Sequence, residues 1–198
     1  SSIDLNVKRR TLLITLGALT ALTSAVHANE LPVVLVLGDS LSAEYGLRRN
    51  SGWVKLLADL IEQGGARYRV VNASISGETT SGGLTRVPDL LKAHRPAVVV
   101  IELGANDGLR GLPIAAMRAN LRAIIQACRA AKAQVLLVGM RLPPNYGRAY
   151  AEQFFAAFGQ IARHEKVAHV PFLLDGFAEK DELFQADHIH PTQAAQPL

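Results

Sequence analysis

Beyond about residue 31, short runs of β-branched and aliphatic residues alternate with longer stretches in which apolar side chains return every three or four positions. The short runs, Val33 to Leu37, Tyr68 to Asn72, Ala97 to Leu103, Gln134 to Met140 and His169 to Pro171, predict five strands. Ala97-Val98-Val99-Val100-Ile101 has no polar face, as a strand covered on both sides requires. The longer stretches predict helices over Gly52 to Gln63, Gly83 to His94, Ile114 to Lys132 and Arg148 to Lys166. In the third, Met117, Leu121, Ile124, Ile125 and Cys128 share one face, while Arg118, Arg122, Arg129 and Lys132 take the other. The fourth carries Phe154, Phe155 and Phe158, which suit a buried face. Strand alternating with helix predicts right-handed crossovers, a doubly wound parallel sheet and ligands bound beyond the carboxyl ends of its strands.

A chain of 198 residues, 49% hydrophobic and 19% charged, fits one core, and it holds no repeat or linker. The expectation is a single domain over residues 29–198. Upstream, Lys8-Arg9-Arg10 precedes an apolar run from Thr11 to Leu22 and the small-residue site Val26-His27-Ala28. Residues 1–28 therefore read as upstream sequence plus an export signal cleaved after Ala28, because the apolar run is shorter than the roughly 20 residues of a spanning helix. A periplasmic or secreted product without a membrane span is expected. The signal region accounts for two of the four formal positive charges, and no basic run is interleaved with aromatic residues. Nucleic acid is excluded as a partner on that ground. Cys128 is the only cysteine, so no intramolecular disulfide or multi-cysteine zinc site is available.

Polar, glycine-bearing segments follow three of the predicted strands: Gly38-Asp39-Ser40-Leu41, Ser76-Gly77-Glu78-Thr79 and Gly104-Ala105-Asn106-Asp107-Gly108. All three fall on one edge of the sheet. A fourth, Asp187-His188-Ile189-His190-Pro191, places a carboxylate three residues before an imidazole. Acyl transfer needs a nucleophile, a base, a group that fixes the base's tautomer, and donors aimed at the developing oxyanion. Ser40 supplies a hydroxyl between a strand and the next helical pattern, where helix-terminal amides would lie near it. Gly77 offers a backbone N–H without an obstructing side chain, and Asn106 a side-chain amide.

In this order the four segments resemble the four sequence blocks of the SGNH, or GDSL, hydrolases. Val70-Val71-Asn72-Ala73-Ser74-Ile75-Ser76-Gly77-Glu78-Thr79-Thr80 and Arg141-Leu142-Pro143-Pro144-Asn145-Tyr146-Gly147 extend the likeness to the bacterial multifunctional thioesterase, lysophospholipase and arylesterase branch. The resemblance spans about Leu31 to Leu198 and implies a flavodoxin-like, three-layer α/β/α fold with a five-stranded sheet. It also implies Ser40 as nucleophile, His190 as base and Asp187 as orienting acid, with an oxyanion hole from the Ser40 amide, the Gly77 amide and the Asn106 side chain. No metal or cofactor is expected. The segment from Leu109 to about Ala119 would touch the acyl chain, and Leu109, Pro144 and Ile189 are the expected substrate contacts. Small acyl esters, thioesters or lysophospholipids are the implied substrates of a monomer, and a closing helix would follow Leu198.

Where relatives usually carry glycine in the Asp-x-x-His block, this chain has His188, so two imidazoles compete for the role of base. The family spacing of three residues from the aspartate selects His190. Carboxylate and imidazole also make metal-ligand sets, but no His-x-x-x-His pair accompanies them. Acyl transfer to an alcohol, sugar deacetylation and acyl-chain binding without turnover are the competing functions. Asp39 is expected to be structural, Tyr45, Trp53 and Phe172 to be packing residues, and His94, His164 and His169 to be solvent-facing or hydrogen-bonded.

Overall fold

The computed structural model describes residues 31–198, Pro144 without its side chain. The export signal and its cleavage after Ala28 lie outside the described residues. Five parallel strands, β1 (Val33–Gly38), β2 (Arg69–Asn72), β3 (Val98–Glu102), β4 (Gln134–Val138) and β5 (Ala168–Val170), lie in the order β2-β1-β3-β4-β5. The described helices are α1 (Trp53–Gln63), α2 (Thr80–His94), α3 (Ala105–Leu109), α4 (Ile114–Ala130) and α5 (Arg148–Glu165). This is the flavodoxin-like α/β/α arrangement that the alternation and the resemblance lead one to expect.

Every residue of β1 is buried, and alternate side chains serve opposite faces. Val33, Leu35 and Leu37 join Val99 and Ile101 of β3 in the larger core, filled from the helices by residues such as Val87, Leu121, Ile125, Phe154 and Phe158. Val34, Val36, Val100 and Val138 face Val54 of α1 in the smaller one. Phe154 and Phe158 meet edge to face, centroids 5.3 Å apart, while Phe155 is only partly buried. Cys128 is fully buried, and burial pushes its thiol up to about 11, far from thiolate chemistry.

Three elements depart from the sequence reading. Helix α2 starts at Thr80 instead of Gly83, because the Thr79 hydroxyl accepts from the Gly82 amide at 3.3 Å and caps the first turn. Helix α4 stops at Ala130, and Lys132 turns the chain with φ 65°. Asn106-Asp107-Gly108, outside every helix the sequence pattern predicts, lies in the five-residue helix α3.

The sheet order reverses direction between β1 and β3, its neighbours in space but not in sequence. At such a switch point the outgoing loops separate, leaving a crevice beyond the carboxyl ends of the strands. The segments after β1, β2 and β3 all open there.

Candidate active site

Ser40 follows β1 on a run of turns from Ser40 to Gly46, and α1 begins only at Trp53. The expected helix N-terminus beside Ser40 is therefore absent. A tight turn presents the hydroxyl instead, with the Asp39 carbonyl accepting from the Ser42 and Ala43 amides. Ser40 Oγ lies 2.8 Å from His190 Nε2, and His190 Nδ1 lies 2.6 Å from Asp187 Oδ2. The backbone amides of Ile189 and His190 donate to Asp187 Oδ1, each at 3.0 Å. Burial alone would raise the Asp187 carboxyl, but these amides, the His190 side chain and its charge hold it at about 2. Asp187 is thus an anion across the working range and fixes the imidazole with Nε2 toward Ser40.

Tyr45 packs its ring on His190, centroids 4.3 Å apart, and is half exposed at the cleft. Gln185 ties the same region together, donating from Nε2 to the Tyr45 and Pro191 carbonyls and from its amide to the His190 carbonyl. His188 adopts φ 54°, a left-handed backbone suited to glycine. Its imidazole lines the cleft but makes no hydrogen bond or ion pair with the described residues.

Gly77 turns the chain after β2 with φ 79°, its carbonyl held by Arg110 Nη2 at 2.9 Å. Asn106, in the first turn of α3, lines the same cleft as Ser40 and Gly77. Its Nδ2 donates to the Glu78 carbonyl at 3.0 Å and to Asp39 Oδ2 at 3.2 Å. Both amide hydrogens are therefore engaged, so donation to an oxyanion requires one bond to be shared or exchanged. Neighbouring Asp107 accepts from the Thr80 amide at 2.8 Å and the Thr80 hydroxyl at 2.5 Å, fastening α3 to the start of α2.

Asp39 is fully buried, accepts from the Leu41 amide at 3.1 Å, and is pushed up to about 6 by burial against the pull of Leu41, His190 and Asn106. The cleft has a volume of about 670 Å³ and continues from Ser40 past Leu109, Leu142, Phe172, Leu174 and Ile189. Leu109 and Ile189, expected from the resemblance as substrate contacts, both line this cleft. Pro144 opens a 3-10 turn, but its side chain lies outside what is described; its neighbour Pro143 lines the cleft. Tyr45 and Phe172, read from the sequence as packing residues, form part of the cleft wall, whereas Trp53 packs beside the smaller core. Arg141, missed by the sequence reading, also lines the cleft, its guanidinium 4.4 Å and 5.0 Å from the Phe155 and Phe172 ring centroids. His169 corrects a further expectation, because its buried Nε2 has no hydrogen-bond partner.

Residues 36–197 match the GDSL-like Lipase/Acylhydrolase family. The chain belongs to that family. Among acylhydrolases of this kind, it is 52% identical over 180 residues to Esterase TesA of Pseudomonas aeruginosa, covering 91% of this chain and 88% of that protein. It is 45% identical over 165 residues to thioesterase 1/protease 1/lysophospholipase L1 of Escherichia coli K12, covering 83% of this chain and 78% of the relative. The crystal structure of the psychrotrophic esterase EstA from Pseudoalteromonas sp., inhibited by monoethylphosphonate, superposes with a TM-score of 0.80 at 44% identity, covering 83% of this chain and 90% of that one. The chain is accordingly an ester hydrolase of the GDSL, or SGNH, type. None of its described helices is long and apolar enough to cross a membrane.

Proposed function

We propose that this hydrolase cleaves small acyl esters, thioesters and lysophospholipids through an acyl-enzyme on Ser40. The hydrogen-bonded chain Ser40–His190–Asp187, at 2.8 Å and 2.6 Å, carries the reading. His190 Nε2 takes the Ser40 proton as Oγ attacks the acyl carbon, and Asp187 stabilises the imidazolium that forms. The amides of Ser40 and Gly77 and the Asn106 side chain receive the oxyanion. His190 then protonates the departing alcohol or thiol, and water repeats the sequence on the acyl-enzyme. The apolar cleft, with Leu109 and Ile189 on its wall and Pro144 nearby in sequence, takes the acyl chain. The esterase, thioesterase and lysophospholipase names of the relatives support that substrate range.

On the same reading, residues 29–198 work as one monomeric domain, released to the periplasm or medium once the segment ending at Ala28 is removed. Replacing Ser40 by Ala should leave a folded protein without turnover of nitrophenyl esters, and a fluorophosphonate should label Ser40 alone, as seen by peptide mass spectrometry. Near-native turnover by the Ala variant would falsify the assignment. A chain-length series of nitrophenyl esters and acyl thioesters then measures which acyl groups the cleft prefers.

A further inference from the structure

Beneath the nucleophile turn lies a second acid that the reaction as described does not use. Glu102, the last residue of β3, is fully buried and paired in register with Gly38 of β1. Its Oε2 accepts from the Ser42 hydroxyl at 2.7 Å and from the Asp39 amide at 3.3 Å, so one oxygen grips the turn on both sides of Ser40. A Cβ at position 38 would fall 2.6 Å from Ser42 Oγ and 2.9 Å from Glu102 Oε2. The glycine of the Gly38-Asp39-Ser40 block is therefore the space in which this carboxyl meets the turn.

Among the described residues Glu102 has no cation for a partner, and its Oε1 is buried without a hydrogen-bond partner. An ionised carboxylate in that setting would leave a desolvated anionic oxygen unpaired beside a second buried acid, which is strongly unfavourable. A neutral carboxyl escapes that cost and can donate its proton. We propose that Glu102 is a positioning residue, a protonated carboxyl that clamps the Asp39 and Ser42 ends of the nucleophile turn and keeps the Asp39 carboxylate directed at Asn106. Burial and the Asp39 charge push Glu102 well above the usual carboxylate range, opposed by its bonds from Ser42 and the Asp39 amide. The other charges bearing on Asp39 are those of His190, which favours its anion, and Asp107, which opposes it. Proton and charge are thereby divided between two acids, with Glu102 holding the proton and Asp39 holding the charge that binds Asn106.

This inference rests on Ser40 as nucleophile and Asn106 as oxyanion donor, but its first measurement does not. Infrared difference spectra of the wild type against Glu102→Gln at pH 7 should show a protonated-carboxyl band that the variant lacks. Kinetically, Glu102→Gln keeps an uncharged acceptor for the Ser42 hydroxyl and the Asp39 amide and should hold kcat to within about threefold of wild type. Glu102→Leu removes that acceptor and should lower kcat by about tenfold or more with KM little changed, as expected when hydrogen bonds that orient reacting groups are lost. If the Leu variant does not fold, the infrared band and the Gln variant decide. No band, a Gln variant as impaired as the Leu one, or a Leu variant with wild-type kcat each overturns the inference. Turnover by Ser40→Ala would instead unseat the nucleophile and leave the infrared result standing.

Discussion

The Asn106 side chain is already occupied before substrate arrives, donating to Glu78 and Asp39. On the proposed mechanism, removing it takes a donor from a charge present only in the transition state. Asn106→Ala should therefore lower kcat by roughly 10²–10³-fold with KM little changed, measured on a nitrophenyl ester. A change confined to KM would make Asn106 a substrate-binding residue instead. His188 and His190 separate in a similar way, since only His190 touches Ser40 and Asp187. His190→Ala should abolish turnover. His188→Gly should retain it and, by relieving a left-handed backbone at φ 54°, leave stability unchanged or raised by up to about 1 kcal/mol in urea denaturation. The residues joined through His190 were legible because acyl-transfer chemistry needs their types and the four blocks fix their spacing. Glu102, Gln185 and Arg141 were not. Glu102 looks like the polar end of an apolar strand, and Gln185 and Arg141 act through loops whose course no periodicity encodes.

Among the elements, the long ones with a consistent apolar face were readable. The short ones were shaped by contacts distant in sequence. Helix α3 has five residues and two of them, Asp107 and Asn106, are held in place by partners on α2, in the turn after β1 and in the β2 loop. With so few turns, propensity alone could not have nucleated it. Asp107→Ala would leave the Thr80 amide and hydroxyl without their carboxylate in a buried setting. Destabilisation of about 2–3 kcal/mol should follow, together with a fall in kcat as α3 loosens and Asn106 drifts. Unaltered stability in urea melts would show that α3 is held by its apolar packing and not by this clasp. Thr79 likewise moved the start of α2 upstream of two glycines that propensity disfavours, a capping effect visible only once the turn before it is known.

For the molecule as a whole, the fold class was legible because a parallel sheet covered on both faces forces near-continuous apolar strands, and the alternation with helices leaves few ways to connect them; the order β2-β1-β3-β4-β5 came from the structure. Buried charge was not legible, and it sets a conflict between stability and activity. Asp39 has its ordinary value of 3.8 raised to about 6, so the folded chain holds a proton that the unfolded chain has released in between. The stability tied to that proton is complete below about pH 4 and is lost as pH rises through about 6. Asp187, lowered to about 2, acts oppositely, its contribution vanishing only as pH falls from about 4 through 2. Thermal melts should therefore show higher stability near pH 5 than near pH 7.5, with Asp39→Asn flattening the difference, while turnover rises over the same interval as Asp39 becomes an anion. A wild-type profile as flat as that of the variant would mean that Asp39 is not buried as a titrating acid. Ser40 and His190, the proposed nucleophile and base, stand 150 positions apart in the chain, joined by a single hydrogen bond across the cleft. During synthesis the serine turn leaves the ribosome first, and on the proposed assignment the serine has no base until the segment bearing Asp187 and His190 follows it. On that assignment the nascent protein is silent toward the acyl groups of the cell that makes it, and its chemistry is armed only once the segment bearing Asp187 and His190 has joined the cleft.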